Sequence, residues 1–410
     1  MNDQHKNLIS FKSAKKIMLR TLNYKTKTEI KNLKDCQDRI LAKDIFSEIN
    51  IPEFDNSAVD GFGFINSNVI GRHLEIIGES KPGKPFLRKI KKNQAIKIYT
   101  GAYILRNITK VNTVCMEEDC NSDGKTVRII KKFKIGNNIR VKGEDIKKKQ
   151  KIFVSGRKIR SVDLAQLSSL GIKKLKVFKK IRVGIFSSGD ELCEFPKKKS
   201  KFEIFDANKL VLVSLFKKIG CEVVDLGIIR DDYTKTKKLI LSKIKSLDVI
   251  VTSGGISKSK TDKIGKFFKN NAHIEFWRLS IKPGRPFAFG KVKNTPFIGL
   301  PGNPVAAVIT FFMLVIDYIK ILSGLKENQI IERILPCDFE MKKKKGRTEW
   351  LRGMIINKKG VHYLTKFSST GSGIISSISQ SHGIIELDEK KEYIRKGSLL
   401  KFYRYEDMLN

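Results

Sequence analysis

Three short turns that contain glycine follow apolar segments in the second half of the chain. They are Ser187-Ser188-Gly189, Thr252-Ser253-Gly254-Gly255 and Leu300-Pro301-Gly302-Asn303. Glycine lets backbone N–H groups approach a ligand closely, and a helix that begins behind the turn adds the positive end of its dipole. One such turn is weak evidence, because many strand-to-helix turns contain glycine. Three turns at one edge of a sheet favour a ligand that carries phosphate groups.

Carboxylates accompany these turns, although the chain has 82 Lys and Arg residues against 42 Asp and Glu residues. They are Asp190 and Glu191, Asp231 and Asp232, and Asp262. Such a site would repel a phosphate unless a divalent cation lay between the charges, so the pattern indicates Mg²⁺. For Asp190, Asp231 and Asp232 the alternative is a structural role as helix N-caps.

Two cations flank a rigid turn in the segment IKPGRPFAFG. Lys282 and Arg285 lie on either side of Pro-Gly and are suited to hold an anionic group. A solvated basic loop is the alternative, and the apolar residues around the turn weaken it.

Two further polar clusters lie nearer the N-terminus. In FDNSAVDGF (residues 54–62) a simple turn explains Asp55 and Asn56 but leaves Asp60 unexplained. In TGAY, Thr100 follows a predicted strand, where its hydroxyl and amide could bind an oxyanion.

The apolar pattern predicts the elements that position these residues. A helix is expected over residues 10–22 with Ser10 as its N-cap, and another over 161–170 with Ser161 as its cap. Residues 46–145 are predicted to form a β-rich module. From Ile181, strands alternate with helices (207–219, 234–246 and 304–322), which predicts a doubly wound parallel sheet covered on both faces. The chain therefore divides into an N-terminal region (1–178), an α/β domain (179–326) and a C-terminal β domain (327–410).

Composition excludes several classes of protein. The chain has 410 residues, of which 40% are hydrophobic and 30% charged, which is typical of a globular chain. The apolar run Val305–Ile316 is too short to span a bilayer, and the first ten residues lack the apolar core of a secretory signal. Six scattered cysteines indicate reduced thiols and a cytoplasmic location, and Cys115 and Cys120 have no histidine nearby to complete a zinc site.

The net charge of +40 makes nucleic acid the obvious alternative partner. The lysines, however, are spread along the whole chain in short runs, and no DNA- or RNA-binding motif accompanies them. We therefore expect solvated surface lysines, with no specific nucleic-acid partner and no membrane. The Walker and G-x-G-x-x-G patterns are also absent, which disfavours a P-loop ATPase and a standard dinucleotide enzyme.

Eight segments, in order, resemble the molybdopterin molybdenumtransferase family, the MoeA type that also forms the E domain of gephyrin. They are FDNSAVDGF, YTGA, VKGEDI, FSSGDEL, LGIIRDD, SGGIS with Asp262, IKPGRPFAFGK and GLPGNPVAA. The resemblance covers nearly the whole chain. It implies a four-part elongated homodimer, with a molybdopterin-binding α/β domain and a small C-terminal β-barrel. It also implies the last step of molybdenum cofactor assembly, in which adenylylated molybdopterin and molybdate react with the help of Mg²⁺ and AMP leaves. The adenylyltransferase and the recipient molybdoenzymes would be its protein partners.

The resemblance also implies roles for individual residues. Glu191 would be the central catalytic carboxylate, and Asp60 and Thr100 would complete the site from the partner subunit. Magnesium would be held by Asp231 and Asp262 with Glu191. Substrate would be bound by Ser188, Gly189, Asp190, Asp231, Ser253, Gly254, Gly255, Lys282 and Arg285, over a floor of Pro301, Gly302 and Pro304. Asp145 in VKGEDI is a further candidate.

Two alternatives remain open from the sequence. The adenylyltransferase that makes the activated pterin shares the α/β domain, but it would not need the N-terminal motifs around Asp60 and Thr100. A scaffold that keeps the fold and binds a partner would not need Asp60, Thr100 and Glu191.

Overall fold

The computed structural model describes residues 8–22, 27–67, 69–230, 232–256, 263–326, 331–369 and 371–409. The predicted site residues Asp231 and Asp262 lie outside this part of the chain.

The N-terminal region is built around a six-stranded sheet. Its elements are α1 (Phe11–Arg20), β1 (Thr28–Asn32), β2 (Ile45–Phe46), β3 (Asn56–Ser57), β4 (Gly61–Phe64), β5 (His73–Ser80), β6 (Gln94–Ile98), α2 (Arg106–Thr109), β7 (Thr113–Met116), β8 (Cys120–Ser122), β9 (Thr126–Ile129), β10 (Ile139–Arg140), β11 (Lys151–Phe153), α3 (Ser161–Ser169) and β12 (Lys174–Phe178). The sheet order is β7-β4-β6-β5-β9-β8. Separate apolar clusters cover its two faces, one around Phe64 and Val127, the other around Ile98 and Val114. These strands confirm the predicted β-rich module.

Of the two predicted helix caps, one is confirmed and the other is wrong. The side chain of Ser10 accepts a hydrogen bond from the Ser13 amide, so Ser10 caps α1 as expected. The prediction that Ser161 caps α3 is wrong, because Arg160 is the N-cap and Ser161 is the first helical residue. The Asp163 carboxylate accepts from the Arg160 amide at 3.0 Å and closes this helix end.

The α/β part contains a second six-stranded sheet. Its elements are β13 (Arg182–Ser188), β14 (Leu192–Cys193), β15 (Ile204–Phe205), α4 (Ala207–Lys218), β16 (Glu222–Ile229), α5 (Tyr233–Lys243), β17 (Val249–Ser253), α6 (Lys263–Asn271), β18 (Ala272–Phe276), β19 (Ile281–Lys282), β20 (Ala288–Val292), β21 (Thr295–Leu300), α7 (Pro304–Thr310) and α8 (Ile316–Leu322). The sheet order is β16-β13-β17-β21-β20-β18. The first four strands are parallel, as predicted. Two strands that the sequence pattern did not predict, β18 and β20, extend the sheet antiparallel to their neighbours.

Apolar residues cover both faces of this sheet. One cluster joins it to α1, α4, α7 and α8, and the other joins it to α5 and α6. Both faces are therefore covered by helices, which confirms the doubly wound class. The helical segment Pro304–Leu322, with a π-helical stretch at Phe311–Val315, is longer than the apolar run that the sequence analysis considered. By length and composition it could cross a membrane, but 89% of its most apolar window is buried inside the protein. Packing in the core accounts for its apolar character.

The C-terminal part is a third sheet that closes on itself. Its elements are β22 (Arg333–Pro336), β23 (Met341–Lys342), β24 (Thr348–Lys358), β25 (Val361–Lys366), α9 (Ser376–Ser379), β26 (Gly383–Leu387), β27 (Tyr393–Ile394), β28 (Leu399–Arg404) and α10 (Tyr405–Leu409). The order is β19-β24-β26-β28-β22, and β25 also pairs with β24. A bridge between Cys337 and Leu364 joins the two sides, which gives the barrel-like closure that was expected. Strand β19 comes from the α/β part, so the two parts share this sheet.

Candidate active site

The three glycine turns lie side by side at one edge of the α/β sheet. Strands β13, β17 and β21 are parallel neighbours, and the register places Ser187 opposite Ser253 and Ser253 opposite Leu300. Gly254 has a φ of +84°, and a Cβ there would be 2.6 Å from the Ser188 carbonyl oxygen. The backbones of adjacent turns therefore approach as closely as only glycine allows.

The first turn of α4 connects these turns to each other. Asn208 is buried, and its Nδ2 donates to Ser253 Oγ (2.8 Å) and to the Gly302 carbonyl (2.6 Å). Its Oδ1 is buried and has no hydrogen-bond partner among the residues that the structure describes. Because buried polar atoms normally have a hydrogen-bond partner, this oxygen is available to accept a hydrogen bond from a ligand. Asn208 was not predicted from the sequence as a site residue, although the Asp206 N-cap two residues earlier marks the start of a helix at this edge.

Glu191 lies in the loop that leaves β13. The Glu191 side chain folds back over Gly189, where its carboxylate fills the space that a Cβ would need. The side chains of Glu191 and Asp190 are exposed. The carboxylate is thus next to the glycine turn and open to solvent, as a residue that meets a ligand must be.

Asp232, another carboxylate of these turns, has a structural role. Asp232 caps α5, because its Oδ1 accepts from the amides of Thr234 (2.8 Å) and Lys235 (2.9 Å). For this residue the structural alternative is correct. The described residues contain no group of three His, Cys, Asp or Glu side chains placed to hold a metal. Of the three predicted magnesium ligands, the structure describes Glu191 alone, so the magnesium site stays a prediction.

The basic turn at Lys282 lies where the α/β part meets the C-terminal sheet. Strand β19 pairs with β24, and the register places Lys282 opposite Glu349. The buried Glu349 carboxylate lies 3.8 Å from Lys282 Nζ and 2.8 Å from the Arg347 guanidinium. Lys282 keeps 41% of its side chain exposed. Its ammonium is therefore oriented by a buried anion without being sequestered by it.

The turn after Lys282 packs on the helix that follows the third glycine turn. Gly284 has a φ of +98°, and a Cβ there would meet the Thr310 methyl group. Arg285, one residue later, is exposed. Lys282 and Arg285 are thus carried on a turn that packs against α7. A solvated basic loop would not need this contact.

The start of α7 is covered by a C-terminal loop. Pro301 is buried and Gly302 is exposed, and Pro304 begins the helix. The Val305 amide donates to the Ser372 carbonyl (3.2 Å), and Asn303 Nδ2 donates to Ser372 Oγ (3.0 Å).

A buried cation, Arg352 on β24, holds this loop. Its guanidinium donates to Ser377 Oγ (2.9 Å) and to the carbonyls of Ser369 (2.8 Å) and Gly371 (3.1 Å). Neither Arg352 nor Ser372 was predicted from the sequence as part of the site. A lone arginine in a strand carries no local signal of this role.

Asp60 and Thr100 form one local unit in the N-terminal sheet. Asp60 Oδ1 accepts hydrogen bonds from the Thr100 amide (2.6 Å) and from Thr100 Oγ1 (2.8 Å). These two bonds, the backbone one first, lower the pKa of Asp60, so the exposed carboxyl stays ionised at neutral pH.

The neighbouring N-terminal motifs are joined to this unit through the backbone. The Gly101 amide donates to the Ser57 carbonyl (2.8 Å), and the Lys142 amide donates to Asp55 Oδ1 (2.8 Å). The segments FDNSAVDGF, TGAY and VKGEDI thus meet at one place. Asp145 is exposed, and its amide donates to the Ile51 carbonyl at 3.1 Å.

The structure therefore shows two groups of candidate residues within one chain. No hydrogen bond or ion pair among the described residues joins Asp60 or Thr100 to Glu191. One group lies in the N-terminal sheet and the other at the edge of the α/β sheet.

Comparison with known proteins decides the family. Three family models match in chain order: the MoeA N-terminal region (domain I and II) at residues 9–171, a probable molybdopterin binding domain at 184–321, and the MoeA C-terminal region (domain IV) at 335–405. The molybdopterin molybdenumtransferase of Haemophilus influenzae is 34% identical over 98% of this chain and 100% of its own length. The chain belongs to the molybdopterin molybdenumtransferase family.

Other members agree with this assignment. The molybdopterin molybdenumtransferase of a Nostoc species is 27% identical over 90% of this chain and 87% of its own length. A solved structure of the molybdopterin biosynthesis MoeA protein from Pyrococcus horikoshii has 27% identity and a TM-score of 0.84, and covers 97% of this chain and 100% of its own. As a member of the molybdopterin molybdenumtransferase family, the chain is a transferase of molybdenum cofactor biosynthesis.

Proposed function

We propose that this chain catalyses the insertion of molybdenum from molybdate into adenylylated molybdopterin, with release of AMP. The observation that carries the proposal is the convergence of Ser188, Gly254 and Gly302 at one sheet edge, together with a basic turn that packs on the helix after the third glycine turn. A phosphoanhydride needs closely approachable backbone N–H groups and cations; the glycine turns supply the N–H groups, and Lys282 and Arg285 supply the cations. The whole-length similarity to molybdenumtransferases supports the same reaction.

The proposed role of each residue follows from its charge and its exposure to solvent. Lys282 and Arg285 hold anionic oxygens of molybdate or of the phosphoanhydride, because both are cationic and open to solvent. The turns around Ser188, Gly189, Ser253, Gly254 and Gly255 receive the pterin phosphate, with Asp190 at their rim, over the floor formed by Pro301, Gly302 and Pro304. Glu191 is the central carboxylate, adjacent to Gly189 and accessible to substrate.

Asp60 and Thr100 act at the same site from a second copy of the chain. The Thr100 hydroxyl and the ionised Asp60 form a preorganised polar pair on a separate sheet, which supports a site shared in a homodimer. Asp145 lies in a loop joined to the same motifs and is a further candidate. The division at residues 178 and 326, the cytoplasmic location, and the adenylyltransferase and recipient molybdoenzymes as partners belong to the proposal as predictions.

Magnesium is also part of the proposal. Glu191, with Asp231 and Asp262, has the oxygen donors that Mg²⁺ prefers, and the metal would neutralise charge on the phosphoanhydride. A titration of AMP release against Mg²⁺, with EDTA as the control, tests this. Full activity in EDTA would remove magnesium from the reaction.

The deciding experiment is an AMP-release assay on the purified protein. It receives adenylylated molybdopterin with and without molybdate, and we expect AMP release that depends on molybdate and active cofactor as product. Consumption of ATP with unadenylylated molybdopterin would favour the adenylyltransferase. Binding of the pterin nucleotide without turnover under either condition would favour a scaffold.

A further inference from the structure

A buried lysine lies behind the loop that carries Glu191. Lys209, in the first turn of α4, has only 8% of its side chain exposed. Its Nζ lies 2.7 Å from Glu194 Oε1 and 3.2 Å from Asp225 Oδ1. The ammonium thus bridges two carboxylates that belong to different elements.

The two carboxylates belong to the Glu191 loop and to the outer strand of the sheet. Glu194 follows Glu191 by three residues, and its other oxygen accepts from Lys197 Nζ at 2.9 Å. Asp225 lies within β16, and its Oδ1 also accepts from the Gly227 amide at 2.8 Å. Lys209 therefore ties the loop to the rigid sheet and to α4 at the same time.

Among the described residues, the other attachments of the loop are also polar, and one of them is an ion pair between the Arg230 guanidinium and the Glu203 carboxylate at 3.2 Å. The Ile204 amide donates to the Glu191 carbonyl (2.8 Å), and the Asp206 amide donates to the Cys193 carbonyl (3.0 Å). Its large apolar side chains do not anchor it, because Phe195 is 67% exposed and Phe202 is 85% exposed. A loop that buries so little apolar surface depends on its polar contacts to keep one conformation.

The ammonium is charged in spite of its burial. Burial alone would lower the pKa of Lys209, but hydrogen bonds to Glu194 and Asp225 outweigh it and raise the pKa. A buried ion pair with two carboxylates contributes little net stability compared with apolar packing, but it orients its partners strictly.

We infer that Lys209 is a positioning residue, which fixes the 190–205 loop so that the Glu191 carboxylate stays over the glycine turn. The inference rests on the proposed role of Glu191 in molybdenum insertion. Lys209 itself touches no substrate and acts through the loop alone.

A double-mutant cycle with Glu191→Gln tests this inference. Lys209→Met should lower kcat about tenfold or more and leave KM nearly unchanged, because a displacement of about 1 Å is enough to cost that much. In the Glu191→Gln background, Lys209→Met should have no further effect on kcat. Lys209→Arg, which can reach both carboxylates, should restore most of the rate. Lys218→Met, on the exposed part of the same helix, is the matched control.

Hydrogen exchange gives a second readout that needs no turnover. Amides of residues 190–205 should exchange faster in Lys209→Met, whereas those of β13 and β17 should not change. Glu194→Gln, a half-exposed position, should give the same change in the loop and guards against misfolding of the buried variant.

The outcomes separate the inference from the proposed function. Equal losses of kcat in both backgrounds, or unchanged exchange in the loop, would overturn the positioning role. A wild-type protein with no molybdate-dependent turnover would instead overturn the proposed function, and the exchange measurement would still decide whether Lys209 holds the loop.

Discussion

Asn208 Nδ2 lies 2.6 Å from the carbonyl oxygen of Gly302, and this hydrogen bond joins α4 to the turn after β21. The same amide donates to Ser253 Oγ, so a single side chain links two of the three glycine turns. Turns that bind one ligand through their backbone N–H groups must keep fixed relative positions. A shift of one turn would move its N–H groups away from a ligand that the other turns hold.

Substitution of Asn208 should weaken both the fold and the site. Asn208→Ala leaves the buried Ser253 hydroxyl and the Gly302 carbonyl without this donor, so we expect the free energy of unfolding to fall by about 1–3 kcal/mol. Asn208→Asp should bind the pterin nucleotide less well than Asn208→Ala, because it places a carboxylate beside a site for anions. Chemical denaturation and calorimetric titration of the pterin nucleotide measure the two effects. Equal affinity of the two variants for the pterin nucleotide would contradict the prediction that a carboxylate at position 208 repels the anionic ligand.

Asp60→Asn should lower molybdate-dependent turnover by at least about tenfold, because it removes a charge while it keeps the Oδ1 acceptor for Thr100. The chain offers a control in Asp123, another exposed carboxylate whose Oδ1 accepts two hydrogen bonds, here from the Lys125 and Thr126 amides. Asp123→Asn should leave turnover unchanged. If both variants lose the same activity, Asp60 has only a structural role.

Gly254→Ala should destabilise the protein by more than the cost of its backbone conformation. A left-handed φ costs a non-glycine residue about 1–2 kcal/mol, and the Cβ would also lie 2.6 Å from the Ser188 carbonyl oxygen. Gly227→Ala is the control, because Gly227 has a φ of +78° and open space around its Cα. Thermal unfolding of the two variants isolates the effect of the close approach. Equal destabilisation would show that the turns can move apart.

Arg352→Met should release the loop over the start of α7. The guanidinium donates to two carbonyls and a hydroxyl there, and the loss of bonds to a buried charged group should cost at least about 2 kcal/mol. The Val305 amide, which donates to Ser372, should then exchange faster. Arg395→Met, at an exposed position of the C-terminal part, should change neither the free energy of unfolding nor the exchange of the Val305 amide. Unchanged exchange at Val305 would show that the loop is held by other contacts.

The Glu194 carboxylate makes a defined contribution to the pH dependence of stability. Hydrogen bonds from Lys197 and then Lys209 lower the pKa of Glu194 to about 2, whereas the unfolded chain has a pKa of about 4.3. A depressed folded-state pKa contributes stability above the unfolded value, and that stability is lost as the pH falls toward the folded value.

The wild-type protein should therefore lose more free energy of unfolding than Glu194→Gln between about pH 5 and pH 3. Solvent screening keeps the difference small, because Glu194 is half exposed. Denaturant titrations at several pH values measure it. Parallel pH profiles for the two proteins would contradict the ion pairing at Lys209.

The sequence by itself determined the order of the parts and most of the motifs. Alternating apolar periods predict strands and helices locally, and parallel strands always place their carboxyl ends at one edge. The meeting of Ser188, Gly254 and Gly302 therefore followed from β13, β17 and β21 alone. The pairing of Asp60 with Thr100 did not, because 40 residues separate them and nothing local links them.

Only the tertiary structure decided which distant groups fix these motifs in place. Glu349 faces Lys282 because β19 pairs with β24 across the junction of two parts. Arg352 and Lys209 have no local pattern that distinguishes them from the other basic residues of a lysine-rich chain. Their roles come from burial beside particular carboxylates and carbonyls. Burial of that kind depends on how whole elements pack together, which the period of a single segment does not encode.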